Sequence, residues 1–117
     1  MDLDLLREYC LSKAGTTEEL PFGPDTLVFK VMGKMFALTD VDRFTSINLK
    51  CEPEKAIELR EQYPGVKAGY HMNKKHWNTV YFENGLPDKF LIELIDHSYD
   101  LIVSKLKKAD REFLENL

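Results

Sequence analysis

Apolar residues that recur at helical spacing predict three helices in this chain. The first covers residues 3–14, with Gly15 as its C-terminal cap. The second covers residues 53–63 and ends at Pro64-Gly65, and the third runs from 87 to about 108 without a Gly or Pro. The third helix has the widest apolar face, so we expect it to be the core helix. The last nine residues are predicted to be a helical extension or a frayed tail.

Runs rich in Val, Ile, Leu, Phe and Thr predict four strands. Residues 26–32 and 35–40 should form a hairpin, because Gly33-Lys34 places glycine first in a two-residue turn. Residues 45–51 alternate apolar and polar side chains, which is typical of a half-buried strand. Residues 77–82 combine aromatic and β-branched side chains.

Residues 16–26 and 66–75 show neither helical spacing nor strand alternation, and we predict loops there. The resulting order is α-β-β-β-α-β-α with short connections. We therefore predict an α+β fold in which a mostly antiparallel sheet has helices packed on one side. A length of 117 residues suits a single domain spanning 1–117. We expect a shared core that includes Ile47, Leu49, Val80, Phe90, Leu94 and Leu101.

Composition excludes several classes of protein. Hydrophobic residues make up 44% of the chain, which is enough to build a core. No apolar run approaches the roughly 18 residues of a membrane span, so we expect no membrane association. The acidic N-terminus does not resemble a signal peptide, and we expect a cytoplasmic protein. Cys10 and Cys51 are expected to be free, packed thiols.

Catalytic and cofactor signatures are missing from the sequence. The glycine-rich phosphate-binding motifs G-x-G-x-x-G and G-x-x-x-x-G-K-[ST] do not occur. No nucleophile lies in a recognisable elbow beside a histidine. We therefore expect a protein that is not an enzyme and has no cofactor.

Charge is distributed unevenly along the chain. The net charge is −4, which argues against strong nonspecific binding to nucleic acid. Residues 27–82, however, hold nine Lys or Arg against six Asp or Glu. Within this part, residues 66–82 contain three lysines and two histidines but no acid.

This acid-free segment combines cations, flat rings and an amide, which can neutralise phosphates and stack on bases. Residue types alone leave two interpretations open, because Trp77 and Tyr81 could equally pack in a core beside a solvated lysine loop. Lys50 is likewise either a phosphate contact or one more polar residue of a half-buried strand. His71 and His76 could hold a metal only if a third ligand approached, and the two lysines between them would repel the ion. His97 fits a hydrogen-bonded histidine on the last helix.

Several motifs occur in an order that is typical of one family. They are Pro21-Phe22-Gly23-Pro24-Asp25, Val28-Phe29-Lys30-Val31, Lys34-Met35-Phe36-Ala37, Asn48-Leu49-Lys50-Cys51, Pro64-Gly65-Val66, His71-Met72-Asn73-Lys74-Lys75-His76-Trp77-Asn78-Thr79 and Ser98-Tyr99-Asp100-Leu101. From the first helix to about residue 106, the chain resembles the MmcQ/YjbR family. The resemblance implies a bacterial cytoplasmic protein with a CyaY-like fold, also described as a double wing, and a DNA-binding role inferred from that fold.

Our leading hypothesis is a non-enzymatic DNA-binding protein, with DNA as the partner and no protein partner assigned. The candidate nucleic-acid-binding residues are Lys34, Lys50, Lys67, His71, Lys74, Lys75, His76, Trp77 and Asn78, and we assign no catalytic or metal-binding residue. The alternative is a protein-interaction or small-ligand module with a pocket lined by Tyr70, His76 and Trp77. Strand alternation further predicts that Trp77 lies on the sheet face away from the helices, partly exposed, while Val80 faces them.

Overall fold

In the computed structural model, which describes residues 1–117 except the side chain of Asn84, six antiparallel strands form one sheet beside four α-helices. The α+β class and the antiparallel sheet are confirmed, whereas the likeness to a CyaY-like double wing stays a prediction. The strands lie in the order β1-β2-β3-β4-β6-β5. The elements are α1 Leu3–Leu11, β1 Thr16–Glu19, β2 Thr26–Val31, β3 Lys34–Asp40, β4 Ser46–Lys50, α2 Pro53–Gln62, β5 Val66–Ala68, β6 Trp77–Tyr81, α3 Asp88–Ser104 and α4 Lys108–Glu115.

The two edge strands, β1 and β5, correct the predicted order, because both fall in segments that we expected to be loops. β1 has the sequence Thr-Thr-Glu-Glu, which carries no apolar alternation. It pairs with β2, and the Arg7 guanidinium forms a 2.5 Å ion pair with Glu18 that ties the strand to α1. β5 is only three residues long and pairs with β6.

The C-terminal helical region also differs from its prediction. Residues 87–108 do not form one helix, because α3 ends at Ser104 and α4 begins at Lys108. The predicted cap at Gly15 is wrong, because α1 ends at Leu11 and its C-terminal cap is Ser12. Gly15 lies in the turn before β1 with φ +71°, where a Cβ would clash with the side chain of Leu114 of α4.

The helices cover one face of the sheet, as predicted, and the core lies between them. Leu27, Ile47, Val66 and Val80 contribute to this face, and α3 packs across β2, β3 and β4. The buried Ser98 fixes the position of α3 on the sheet. Its hydroxyl donates to Phe36 O at 2.6 Å and accepts from Lys50 N at 3.0 Å. Of the expected core set, Ile47, Leu49, Val80 and Leu94 are buried and Phe90 packs against them, but Leu101 is only partly buried and lies outside the cluster.

The opposite face of the sheet, called here the open face, carries no helix in the described part of the chain. Strand register aligns one row of residues across five strands of this face: Val28, Leu38, Asn48, Thr79 and Lys67. A second, smaller apolar cluster lies on the same face, formed by Val28, Leu38 and Trp77 with Met35 and Met72 packed against them. The open face therefore has an apolar half and a polar half.

Candidate functional site

A groove of about 880 Å³ runs over the open face of the sheet. Leu38, Asn48 and Thr79 belong to its floor, and loops from both sides supply its walls. Its volume lies within the roughly 300–1,000 Å³ range of small-molecule sites. We call this site the open-face groove.

One wall of the open-face groove is the loop of residues 69–76, which folds back over the sheet. The backbone of Gly69 donates to Trp77 O at 2.9 Å, and Lys74 Nζ donates to Gly69 O at 2.9 Å. The approach requires glycine, because a Cβ at residue 69 would lie 2.8 Å from Trp77 Cβ. Met72 from this loop packs on the cluster that contains Trp77, so the loop covers the indole.

Arg60 of α2 holds the same loop from the helix side. Its Nε donates to Asn78 Oδ1 at 2.6 Å, and its Nη2 donates to the carbonyl oxygen of Lys74. Asn78 in turn donates through Nδ2 to Ala56 O at 3.4 Å. The guanidinium thus links a helix, a buried strand residue and the loop that walls the groove.

A short relay of hydrogen bonds orients an amide at the floor of the open-face groove. The Thr79 hydroxyl accepts from Tyr70 N at 2.9 Å and donates to Asn48 Oδ1. Because Oδ1 is engaged in this way, the amide nitrogen of Asn48 is left as the donor for the groove. No partner for that nitrogen occurs among the described residues.

Two aromatic rings and one cation stand at the edges of the groove. Phe22 in the β1–β2 loop and Tyr70 in the loop of residues 69–76 are each 64% exposed. Arg43 in the β3–β4 loop also lines the groove. In the described part of the chain its side chain forms no ion pair.

Two of the predicted site residues are not accessible. Trp77 lies on the face predicted for it, but the expected partial exposure is wrong, because the loop of residues 69–76 leaves only 8% of it exposed. Asn78 is 2% exposed and is engaged by Arg60 and Ala56. Neither residue can reach a nucleic acid without displacing its neighbours, so we exclude both from the candidate nucleic-acid-binding residues.

The histidines of the same segment are separated. His71 is exposed, lines the groove and has φ +57°, and its ring lies 4.0 Å from that of Tyr70. His76 is half-buried and is not part of the groove lining. In the described residues no group of three or more His, Cys, Asp or Glu side chains is placed to hold a metal ion.

The candidate lysines lie around the sheet rather than in the groove. Lys67 is exposed on the edge strand β5, and Lys75 is exposed in the loop before β6. Lys74 is also exposed, although its ammonium group binds Gly69 O. Antiparallel order brings the start of β3, with Lys34, to the same end of the sheet as the end of β4, with Lys50. Burial lowers the pKa of Lys50, and the charge of Lys105 lowers it further.

Sequence reasoning did not single out several residues of the groove, among them Phe22, Arg43 and Asn48. An aromatic residue inside the Pro-Phe-Gly-Pro run was a usable signal, because exposed aromatic side chains in loops often bind ligands. Alternation in β4 also placed Asn48 on the polar face. Nothing in the sequence pattern singled out Arg43, since only the return of the β3–β4 loop brings it to the groove.

Comparison with known proteins places the chain within a family. Its whole length is 34% identical to the whole of Escherichia coli K12 YjbR, and 79% of it is 44% identical to 76% of E. coli O157:H7 YbdF. Both relatives are described only as uncharacterized proteins, so they transfer no activity. Among the described residues, no helix combines the length and apolar character that a membrane crossing requires.

Solved structures agree with the sequence comparison. A Deinococcus radiodurans protein, DR2400 with domain DUF419, is similar over 97% of this chain and 88% of its own, at 40% identity and a TM-score of 0.90. A Pseudomonas syringae protein is similar over 86% of this chain and 98% of its own, at 31% identity and a TM-score of 0.73. The YjbR family model matches residues 11–101. On the combined strength of sequence and fold, the chain belongs to the YjbR family.

Proposed function

We propose that this protein is a non-enzymatic binding protein and that the open-face groove is its site. The observation that supports the proposal most is the build of the groove: about 880 Å³ of concave space over a polar floor, with an exposed ring on either side. Large exposed rings at a concave, partly polar surface are typical of binding sites. This refines the sequence hypothesis of a ligand module, because Tyr70 lines the groove whereas His76 and Trp77 do not.

An NMR screen with a library of small ring-containing fragments tests the proposal. We expect the fragments that bind to shift the amide signals of Asn48, Tyr70 and Thr79 in the ¹⁵N-labelled protein. The variant Ser46→Tyr fills the groove from its floor and should abolish these shifts, whereas Glu58→Tyr adds the same ring to an exposed part of α2 and should preserve them. Binding that avoids the groove, or that survives Ser46→Tyr, would show that the site is elsewhere.

DNA binding is a second candidate, favoured by the acid-free stretch of residues 66–82. Lys67 and Lys75 are exposed, and Lys34 lies at the tip of the β2–β3 hairpin. These cations can neutralise phosphates without any contribution from Trp77 or Asn78. A cytoplasmic location, expected from the sequence, would suit either role and stays a prediction.

A salt titration of duplex and single-stranded DNA binding tests the second candidate. The logarithm of affinity should fall linearly with the logarithm of salt concentration. Replacing Lys67 and Lys75 together by Ala should reduce the slope by about two units, because each lysine neutralises about one phosphate. An unchanged slope would remove DNA from the candidates.

A further inference from the structure

In the part of the chain that the structure describes, two donors of the open-face groove are left without a side-chain partner. The amide nitrogen of Asn48 and the guanidinium of Arg43 have no side-chain partner among the described residues. The carboxylate of Asp40, in contrast, already accepts from the backbone N–H groups of Asp42 and Arg43 at 2.9 and 3.0 Å. A ligand that binds both groups must present acceptors to them.

The groove lining holds a cation that can bind an acidic ligand. The charged side chains that line the groove are Arg43 and Asp40, and Asp40 is already engaged by two backbone N–H groups. The opposite wall, residues 69–76, contains no Asp or Glu. A guanidinium binds carboxylate and phosphate groups with paired, charge-assisted hydrogen bonds. The same cation would gain little from a neutral ligand.

The apolar part of the groove selects a flat ligand. Phe22 and Tyr70 expose their rings, and Met35 and the floor residue Leu38 supply apolar surface near Asn48. Rings stack on aromatic side chains, and thioether and alkyl groups pack against ring faces. A planar ring can lie on this surface with its edge towards Asn48.

Resting on the proposed function, we infer that the open-face groove binds a small planar ring compound that carries carbonyl acceptors and an acidic group. The amide nitrogen of Asn48 donates to a ring carbonyl, Arg43 binds the acidic group, and Phe22 and Tyr70 contact the ring. Orotate and uridine monophosphate both present this chemistry on a uracil ring, one as a ring carboxylate and the other as a phosphate. Uracil presents the ring without the acid.

Isothermal titration of the protein with orotate, uridine monophosphate and uracil tests the inference and distinguishes the two sources of charge. We expect at least one of the two acids to bind with a micromolar to millimolar dissociation constant and to bind about tenfold more tightly than uracil. Arg43→Gln should remove that preference and leave uracil binding unchanged. Arg111→Gln, on the exposed side of α4, is the matched control and should have no effect.

The ring contact has its own pair of variants. Phe22→Ala should weaken binding of all three compounds by about tenfold, whereas Phe113→Ala, which removes an exposed ring from α4, should not. If neither acid shifts the groove amides while other fragments do, the inference fails and the proposed function stands. If no compound of either experiment reaches the groove, both fail. Equal binding of uracil and the acids would also overturn the inference.

Discussion

Asn78 illustrates, at the scale of one residue, how an amide in a basic and aromatic segment becomes a structural group. It lies with Val80 on the helix-covered face, which is the face that strand alternation predicts for Val80. Its partner Arg60 comes from α2, 18 residues earlier, and no local pattern connects the two. The sequence therefore predicted the direction of the side chain but not its use.

Removing the Asn78 side chain should destabilise the protein. Asn78→Ala leaves Arg60 Nε without its acceptor in a partly buried place, and we expect the free energy of unfolding to fall by about 1–3 kcal/mol. Urea denaturation measures this loss. Asn116→Ala, at the exposed C-terminal end of α4, should change the same quantity by less than about 0.5 kcal/mol. Equal values for both variants would contradict the role given to Asn78.

Gly69 allows the loop of residues 69–76 to cover Trp77. We expect the indole of the unmodified protein to emit at short wavelength and to resist quenching by acrylamide. In Gly69→Ala the new methyl group would clash with Trp77 Cβ and its carbonyl oxygen, so the loop must lift. Emission should then shift to the red and quenching should increase, whereas Tyr70→Ala should leave both unchanged. A Gly69→Ala protein with unaltered emission would argue against the covering loop.

At the scale of elements, the sequence predicted the strands and helices that have a clear apolar period and missed the two strands that lack one. β2, β3, β4, β6 and three helices follow from periodicity. β1 is polar and β5 is only three residues long, so neither shows a period. Both form because a neighbouring strand offers unpaired backbone groups, which is a tertiary effect. The break between α3 and α4 contains no Gly or Pro, so it too was invisible in the sequence.

The helix face of the sheet depends on α3, whose Leu94 is buried in the main core. Leu94→Ala removes buried methyl groups and leaves a cavity, and we expect it to lower the free energy of unfolding by about 2–5 kcal/mol. Thermal or urea denaturation measures the change. Ile57→Ala on α2 deletes a side chain that is exposed and should cost far less. A small effect of Leu94→Ala would mean that α3 does not pack as described.

At the scale of the whole molecule, one face of the sheet builds the core and the other carries the proposed binding groove. Helices bury one face, and the other carries the groove, so the division follows from the one-sided packing that the sequence predicted. The location of the groove did not follow, because it depends on three loops that meet over the sheet. Periodicity reports which residues a strand buries, but it contains no information on where a loop returns.

Stability should depend on pH through His97, which joins α3 to the start of α2. Its Nε2 accepts a hydrogen bond from Glu52 N at 3.2 Å, and only the neutral ring can accept it there. Burial lowers the pKa of His97, and the charge of Lys55 lowers it further. Because the folded pKa lies below the ordinary value of about 6.5, the contribution is complete above that pH and is lost as the pH falls towards the folded pKa.

Urea denaturation at about pH 7.5 and about pH 5 measures this dependence. The comparison is with His97→Gln, which carries no titratable ring and therefore isolates the contribution of this residue. The unmodified protein should lose more stability on acidification than this variant. Identical pH profiles would show that His97 is not linked to folding.

The binding site that we propose lies on the open face of the sheet and not on its helical side. Crystals of the protein soaked with the ring-containing fragments that bind in solution test it most directly. We predict electron density over Asn48 and Thr79, between Phe22 and Tyr70, in the crystals of the unmodified protein and none there in Ser46→Tyr. Density confined to the helical side, or groove density that persists in Ser46→Tyr, would show that the open-face groove is not the binding site described here.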